Sequence, residues 1–229
     1  MIKQNLSAIK TRIASVCAKT GRNPQEITLV AVSKGRPLQQ IKEVIAEGIT
    51  DIGENRVQEA LKKYYGLREM KWHMVGHLQT NKAKEAVKLF DLIQSVDSLR
   101  LAAEINRQSG KLKKIQDILV EVNISADASK FGIKPEETVE VVKEASKFKN
   151  LNIKGLMGIA PVVDVPEKAR PYFRTLRDLL TKIYELRVTS YELRVLSMGM
   201  SSDFEIAIEE GSNMLRLGRI VFEGLSPSE

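Results

Sequence analysis

Short runs of β-branched and aliphatic residues alternate along the chain with longer stretches whose apolar positions recur every three or four residues. The runs that read as strands are 27–33 (ITLVAVS), 50–53 (TDIG), 71–75 (KWHMV), 92–96 (LIQSV), 116–123 (QDILVEVN), 152–159 (NIKGLMGI), 192–198 (ELRVLSM) and 214–217 (MLRL). Helical periodicity fills the intervals 38–48, 56–66, 80–89, 98–109, 135–147, 171–187 and 202–211. Ahead of the first strand, Ile2, Leu6, Ile9, Ile13 and Val16 share one face of an amphipathic helix. Pro135-Glu136-Glu137, Pro171 and Ser202-Asp203 read as helix starts, and Gly48, Gly66 and Gly211 as left-handed helix ends.

Strands in strict alternation with helices imply βαβ units and a parallel sheet. Eight such units in 229 residues predict an α/β fold, a single (β/α)8 TIM-type barrel with an extra N-terminal helix. An open doubly wound sheet is the competitor, but it usually has fewer strands, and neither G-x-G-x-x-G nor a P-loop occurs here. No linker or low-complexity segment divides the chain, so residues 1–229 are read as one domain.

Composition narrows the class of function. The chain is 43% hydrophobic and 28% charged, enough for a full core, and no apolar run approaches the ~18–20 residues of a membrane span. The basic N-terminus lacks an apolar h-region, and with no export signal the expected location is the cytoplasm. Cys17 is the sole cysteine, which excludes an intrachain disulfide or a thiolate cluster. The formal charge of +7 could attract anions, yet the basic residues are mostly interleaved with acids, and only GKLKK (110–114) is a tight cluster. With aromatics at 5% and no RNA-binding signature, nucleic-acid binding is a weak alternative.

In a parallel barrel the chemistry sits where strands end. Strand 7 runs into SMGMSSD (197–203), where Ser197, Gly199, Ser201 and Ser202 precede a helix start, an arrangement suited to an anion. Its bland alternative is a loop and a cap. RLGR (216–219) follows strand 8, so a phosphate site between these loops matches a common barrel location. Strand 1 ends in Ser33-Lys34-Gly35, and closure would set it about 4.8 Å from strand 8. A desolvated lysine beside a phosphate site is what a Schiff base with an aldehyde phosphate requires, and pyridoxal 5′-phosphate has that shape; the alternative is a solvated strand end. Arg216, if it faced the pyridine nitrogen, would leave that nitrogen largely unprotonated; otherwise it is a salt-bridged strand-end arginine. His73 and His77 lie on a strand and its turn, which favours structural roles over a metal pair, and Lys130 either lines the mouth or is solvated.

Taken together, AVSKG, GENRVQE, WHMVGHLQTNK, VNISADASKFG, GLMGI, LSMGMSSDFEIAI and LRLGRIVFEG resemble, in order and over nearly the whole chain, the pyridoxal-phosphate homeostasis proteins. That family's barrel is related to the N-terminal domain of alanine racemase. The resemblance implies a Schiff base on Lys34, Arg216 facing the pyridine nitrogen, and Asn55 along the ring's edge. It further implies a phosphate held by Ser197, Ser201 and the backbone of Gly218 and Arg219. Two residues depart from the family pattern: Glu223 stands where glycine is usual after Phe222, and Arg56 where an aromatic is common.

The function so implied is pyridoxal-phosphate binding and homeostasis without robust catalysis, with apo-enzymes that use the cofactor as candidate partners. The alternative is a racemase-type enzyme. It is disfavoured because only Lys34 is convincingly placed as a base and the chain ends after its eighth strand, leaving no second domain. Largely charged outer helices favour a monomer, and neither nucleic acid nor membrane is expected as a partner.

Overall fold

The first helix, α1 (Ile2–Thr20), turns Ile2, Leu6, Ile9, Ile13, Val16 and Cys17 onto the rest of the molecule and buries all of them. Each such aliphatic side chain contributes about 1.5–3 kcal/mol of transfer free energy, so this face is a strong anchor. Gly21 closes the helix in the left-handed region at φ 67°. The structure, a computed structural model, describes residues 1–125, 127, 129–187 and 193–224.

Eight strands follow: β1 (Thr28–Val32), β2 (Asp51–Glu54), β3 (Lys71–Met74), β4 (Leu92–Val96), β5 (Gln116–Val122), β6 (Leu151–Gly158), β7 (Val195–Ser197) and β8 (Met214–Leu217). They pair in parallel in chain order, and β8 returns to β1 to close the barrel, setting Val30 opposite Arg216 and Ala31 opposite Leu217. Between them run α2 (Leu38–Ala46), α3 (Val57–Tyr64), α4 (Ala83–Leu89), α5 (Leu99–Lys111), α6 (Pro135–Ala145), α7 (Arg170–Glu185) and α8 (Phe204–Glu209). The barrel with a leading helix is the architecture that the hydrophobic pattern predicts.

The local differences have physical reasons. The stretch expected to be helical from residue 80 begins as a 3-10 turn, Thr80–Lys82, before α4. Gly48 and Gly211 take left-handed conformations, whereas Gly66 does not, because the chain runs on past α3 through tight turns, Gly66 N–H donating to Lys63 O at 3.1 Å and Leu67 N–H to Tyr64 O at 3.0 Å. Helix α8 starts at Phe204 because the Asp203 carboxylate accepts the Met200 N–H at 2.6 Å and shapes the preceding loop instead of capping the helix. A last short helix, α9 (Arg219–Phe222), has no counterpart in the periodicity, being too short to show one. Residue 192, the first of the expected seventh strand, lies outside the described residues.

Strand alternation divides the core in two. Outward side chains such as Ile52, Trp72, Ile93, Ile118 and Leu215 pack under the helices. Trp72 is fully buried, and its Nε1–H donates to the Leu67 carbonyl at 3.0 Å, so the indole leaves no orphan donor. Inside the barrel, Val30, Leu92, Leu119, Met157 and Met214 form a separate plug. The period of two then places Gln94, Glu121 and Arg216 on the same inward faces as Leu92, Leu119 and Met214. No helix among the described residues is long and apolar enough to cross a membrane.

Two glycines offer a contrast. A Cβ at Gly155 would lie 1.8 Å from the Val195 carbonyl oxygen, because β6 and β7 approach closely there. A Cβ at Gly66 would meet nothing nearer than 3.5 Å. Gly155→Ala is expected to cost about 2 kcal/mol or more in urea unfolding, and Gly66→Ala to stay within about 0.5 kcal/mol of wild type. Equal effects would contradict the close approach of β6 and β7.

Candidate functional site

β1 stops at Val32, and the chain turns at once. Ser33 N–H donates to Gly53 O at 2.9 Å, Arg36 N–H returns to Ser33 O at 3.0 Å, and Gly35 takes φ 70°. Lys34 therefore stands at the C-terminal end of the first strand, exposed, with no hydrogen bond or ion pair among the described residues. Its expected desolvation is not supplied by the protein's own walls.

Across the closing seam lies Gly218, where a Cβ would come within 3.3 Å of the Val32 carbonyl oxygen. Gly218 opens α9, and the Ile220 N–H donates to Ser201 Oγ at 3.3 Å, joining the loops after β7 and β8. Ser201 and Gly218 are half-buried and Arg219 is exposed. Glu223, one of the two departures from the family pattern, forms an ion pair with Arg36, whose guanidinium also lies 5.3 Å from the Phe222 ring centroid. The last turn is thereby fastened to the turn that carries Lys34.

Beneath these loops the barrel interior holds an oriented chain of hydrogen bonds. Arg216 can only donate: Nη2–H goes to Gly158 O at 2.9 Å and Nη1–H to Ser197 Oγ at 2.6 Å. The single Ser197 proton then goes to Gln94 Oε1 at 2.7 Å. Gln94 Nε2–H donates in turn to His73 Nδ1 at 2.9 Å, which leaves the ring proton on His73 Nε2, facing Asp51 Oδ1 at 2.9 Å. One cation and one anion thus sit at opposite ends of a chain through β8, β7, β4, β3 and β2. Burial pushes the Arg216 guanidinium down to about 10, opposed by Glu121 and Asp203. Burial also raises Asp51, but hydrogen bonds from His73 and Thr50 outweigh it and hold the carboxyl below its usual range.

This geometry corrects one expectation. Ser197 was expected to hold a phosphate, but its hydroxyl is fully buried and its only proton is committed to Gln94, so it has none to donate to an anion. Its place is under Arg216. The residues missed altogether are Asp51, His73 in its buried role, Gln94 and Glu121. Their signal was present as polar residues at inward positions of otherwise apolar strands (LIQSV, ILVEV), but such positions are visible only once inward and outward faces are assigned.

The other candidates lie apart. Asn55 is half-buried in the loop after β2 and lines a cleft of about 450 Å³ with Arg56, His77 and Lys82, on the far side of β2 from the seam. His77 pairs through Nδ1 with Asp97 at 2.9 Å and stacks on Phe131, ring centroids 3.7 Å apart, while His73 belongs to the interior chain. Lys130 is exposed in the loop after β5, its N–H donating to Asp127 O at 3.0 Å.

The sequence model of the alanine racemase N-terminal domain family matches residues 4–227. A protein of Aquifex aeolicus named as a pyridoxal phosphate homeostasis protein is 41% identical over 221 residues, covering 96% of each chain. This chain belongs to the pyridoxal phosphate homeostasis protein family. PipY of Synechococcus elongatus, solved with pyridoxal phosphate bound, superposes with a TM-score of 0.84 at 31% identity, covering 97% of this chain and 100% of that one. An alanine racemase of Clostridium difficile is similar in fold, with a TM-score of 0.80 at 18% identity; the match covers all of this chain but 60% of the racemase. The resemblance carried by AVSKG, GENRVQE and LRLGRIVFEG is thus a family relationship along the full length.

One inward group of this family member titrates in an accessible range. Burial pushes the Glu121 carboxyl up to about 7, with Asp97 adding to the rise and Arg216 opposing it. The folded protein therefore retains a proton that the unfolded chain releases near pH ~4.3. Folded-state proton excess means that stability declines as pH rises between those two values and is level on either side. Between pH 5 and 8, wild type is expected to lose roughly 2–3 kcal/mol more than Glu121→Gln in urea unfolding. Parallel profiles would show that the carboxyl is not perturbed.

Proposed function

We propose that this chain binds pyridoxal 5′-phosphate at the β1–β8 seam and serves the supply of that cofactor as a carrier, not as a catalyst. The observation that carries the reading is Lys34: an unpaired primary amine at a strand end, held beside the loops after β7 and β8. The group supplies an aldehyde with which a lysine amine condenses, releasing water. Lys34 provides that amine. The Ser201 hydroxyl and the backbone of Gly218 and Arg219 bind the phosphate; Asn55, which lines the separate cleft beyond β2, has no part in this seam.

Arg216 faces the ring nitrogen in this reading. Even at about 10 it is a cation at neutral pH, and every one of its nitrogens is a donor. The nitrogen is therefore kept as an acceptor and not protonated, which weakens the ring as an electron sink. Ser197 holds the guanidinium in place from below. An exposed attachment lysine is also reachable by water and by other proteins, which suits release to apo-enzymes that use the cofactor. The cofactor bound in PipY and the homeostasis role in the name of the Aquifex aeolicus relative support the choice of pyridoxal phosphate as the ligand. A racemase reading gains nothing from the fold likeness, and proton transfer on both faces of a substrate needs a second base, for which the described residues of the seam offer no candidate beside Lys34.

Protein incubated with the cofactor should show a visible absorbance band that borohydride converts into a permanent adduct, located on Lys34 by peptide mass spectrometry. Lys34→Ala should lose both band and adduct while melting within about 2 °C of wild type, as expected for an exposed side chain. Amino-acid racemisation should not exceed that of the cofactor alone. A band that survives in Lys34→Ala would remove the attachment site, and robust turnover abolished by that substitution would replace the carrier with an enzyme.

A further inference from the structure

Three charged side chains from β2 and α3 grip the turn that carries Lys34, and none of them has a part in the reading above. Lys63, in the last turn of α3, is 9% exposed and is the one buried lysine among the described residues. Its Nζ donates to the Ser33 carbonyl at 2.7 Å, to Glu54 Oε1 at 2.6 Å and to Glu59 Oε1 at 3.1 Å, which uses all three of its protons. Ser33 Oγ–H donates to the same Glu54 oxygen at 2.5 Å. Glu59 Oε1 also accepts the Gly35 N–H.

The pattern of targets is informative. The Ser33 carbonyl belongs to the peptide group before the Lys34 Cα, and the Gly35 N–H to the peptide group after it. Both planes are therefore tied to one ion cluster, and together they set the direction in which the Lys34 side chain leaves the backbone. Glu54 is fully buried, with Oε2 lacking a partner, and burial raises its pKa. For Glu59, burial is outweighed by the Gly35 N–H and Lys63, so the acceptor stays ionised. A buried ion cluster is a costly way merely to close a turn, since well-packed apolar residues are often as stabilising. What apolar residues cannot do is hold a carbonyl and an N–H at fixed angles.

We propose that the Glu54–Lys63–Glu59 cluster is the positioning device for Lys34, fixing both flanking peptide planes before a ligand arrives. This rests on the assignment of Lys34 as the attachment lysine. Preorganisation of this kind raises affinity by lowering the ordering cost at binding.

Glu59 sits half-buried on the surface of α3, so Glu59→Ala tests the device without emptying the core. Its Kd for pyridoxal phosphate, read from the absorbance band, should rise about tenfold, a change of ~1.4 kcal/mol, with the melting temperature within about 2 °C of wild type. Glu59→Gln keeps an acceptor for the Gly35 N–H and should stay within about threefold of wild type, and Lys63→Arg should bind better than Lys63→Met. In the ligand-free protein, the Gly35 amide should exchange at least about tenfold faster in Glu59→Ala than in wild type. Unchanged Kd and unchanged exchange in Glu59→Ala would overturn the proposal, as would a loss of affinity that Glu59→Gln shares in full. If wild type itself gives no band, the attachment reading fails, and the Gly35 exchange rate still decides whether the cluster holds the turn.

Discussion

The pairing of β8 with β1 is the constraint on which everything else depends. It brings Val30 opposite Arg216 and Ala31 opposite Leu217, residues that the chain separates by most of its length. Closure abolishes sheet edges and creates an interior reached by side chains from all eight strands. A polar group on an inward face can be satisfied only by another inward face or by strand backbone, and an unpaired buried donor or acceptor, such as Glu121 Oε2, costs about 1–3 kcal/mol. The chain from Arg216 through Ser197, Gln94 and His73 to Asp51 is the solution found here. Closure also makes Gly218 a neighbour of Val32, and so places the last loop beside the first strand's end.

Two buried polar networks flank the seam, and they do different work. The interior chain separates its charges: the guanidinium lies at one end, the carboxylate at the other, with neutral groups relaying the orientation between them. Because each member has a single compatible donor or acceptor assignment, the arrangement specifies side-chain orientation as much as stability. The Lys63 cluster instead brings opposite charges into direct contact, with Glu54 fully buried, and directs its remaining bonds at backbone. One network acts on side chains inside the barrel and the other on the peptide planes of the turn above it.

The fold alone does not decide what such a site does. The same barrel architecture occurs in an alanine racemase that is 18% identical and considerably longer. Here Lys34, the lysine proposed as the attachment point, is exposed, and no described carboxylate is in direct contact with the Arg216 guanidinium beneath the mouth. These features belong to individual residues, not to the architecture.

The barrel was legible in the sequence because strand-like runs and 3.6-residue periodicity alternate eight times, more often than in the competing doubly wound sheet, and no dinucleotide or P-loop fingerprint accompanies them. The sequence also determined that Lys34 and the loops bearing Ser201 and Gly218 would meet, since closure follows from strand number. What it could not determine was the allocation of polar residues within strands. Ser197 reads as a phosphate ligand from its place before a helix, yet strand alternation turns it inward, where Gln94 and Arg216 consume its hydroxyl. Nothing in the sequence marks Lys63 out; the packing of α3 against the first turn buries it on Ser33. Periodicity is a local property and survives in one dimension; which partners a buried polar group finds is a property of distances between strands, and only the tertiary structure decides it.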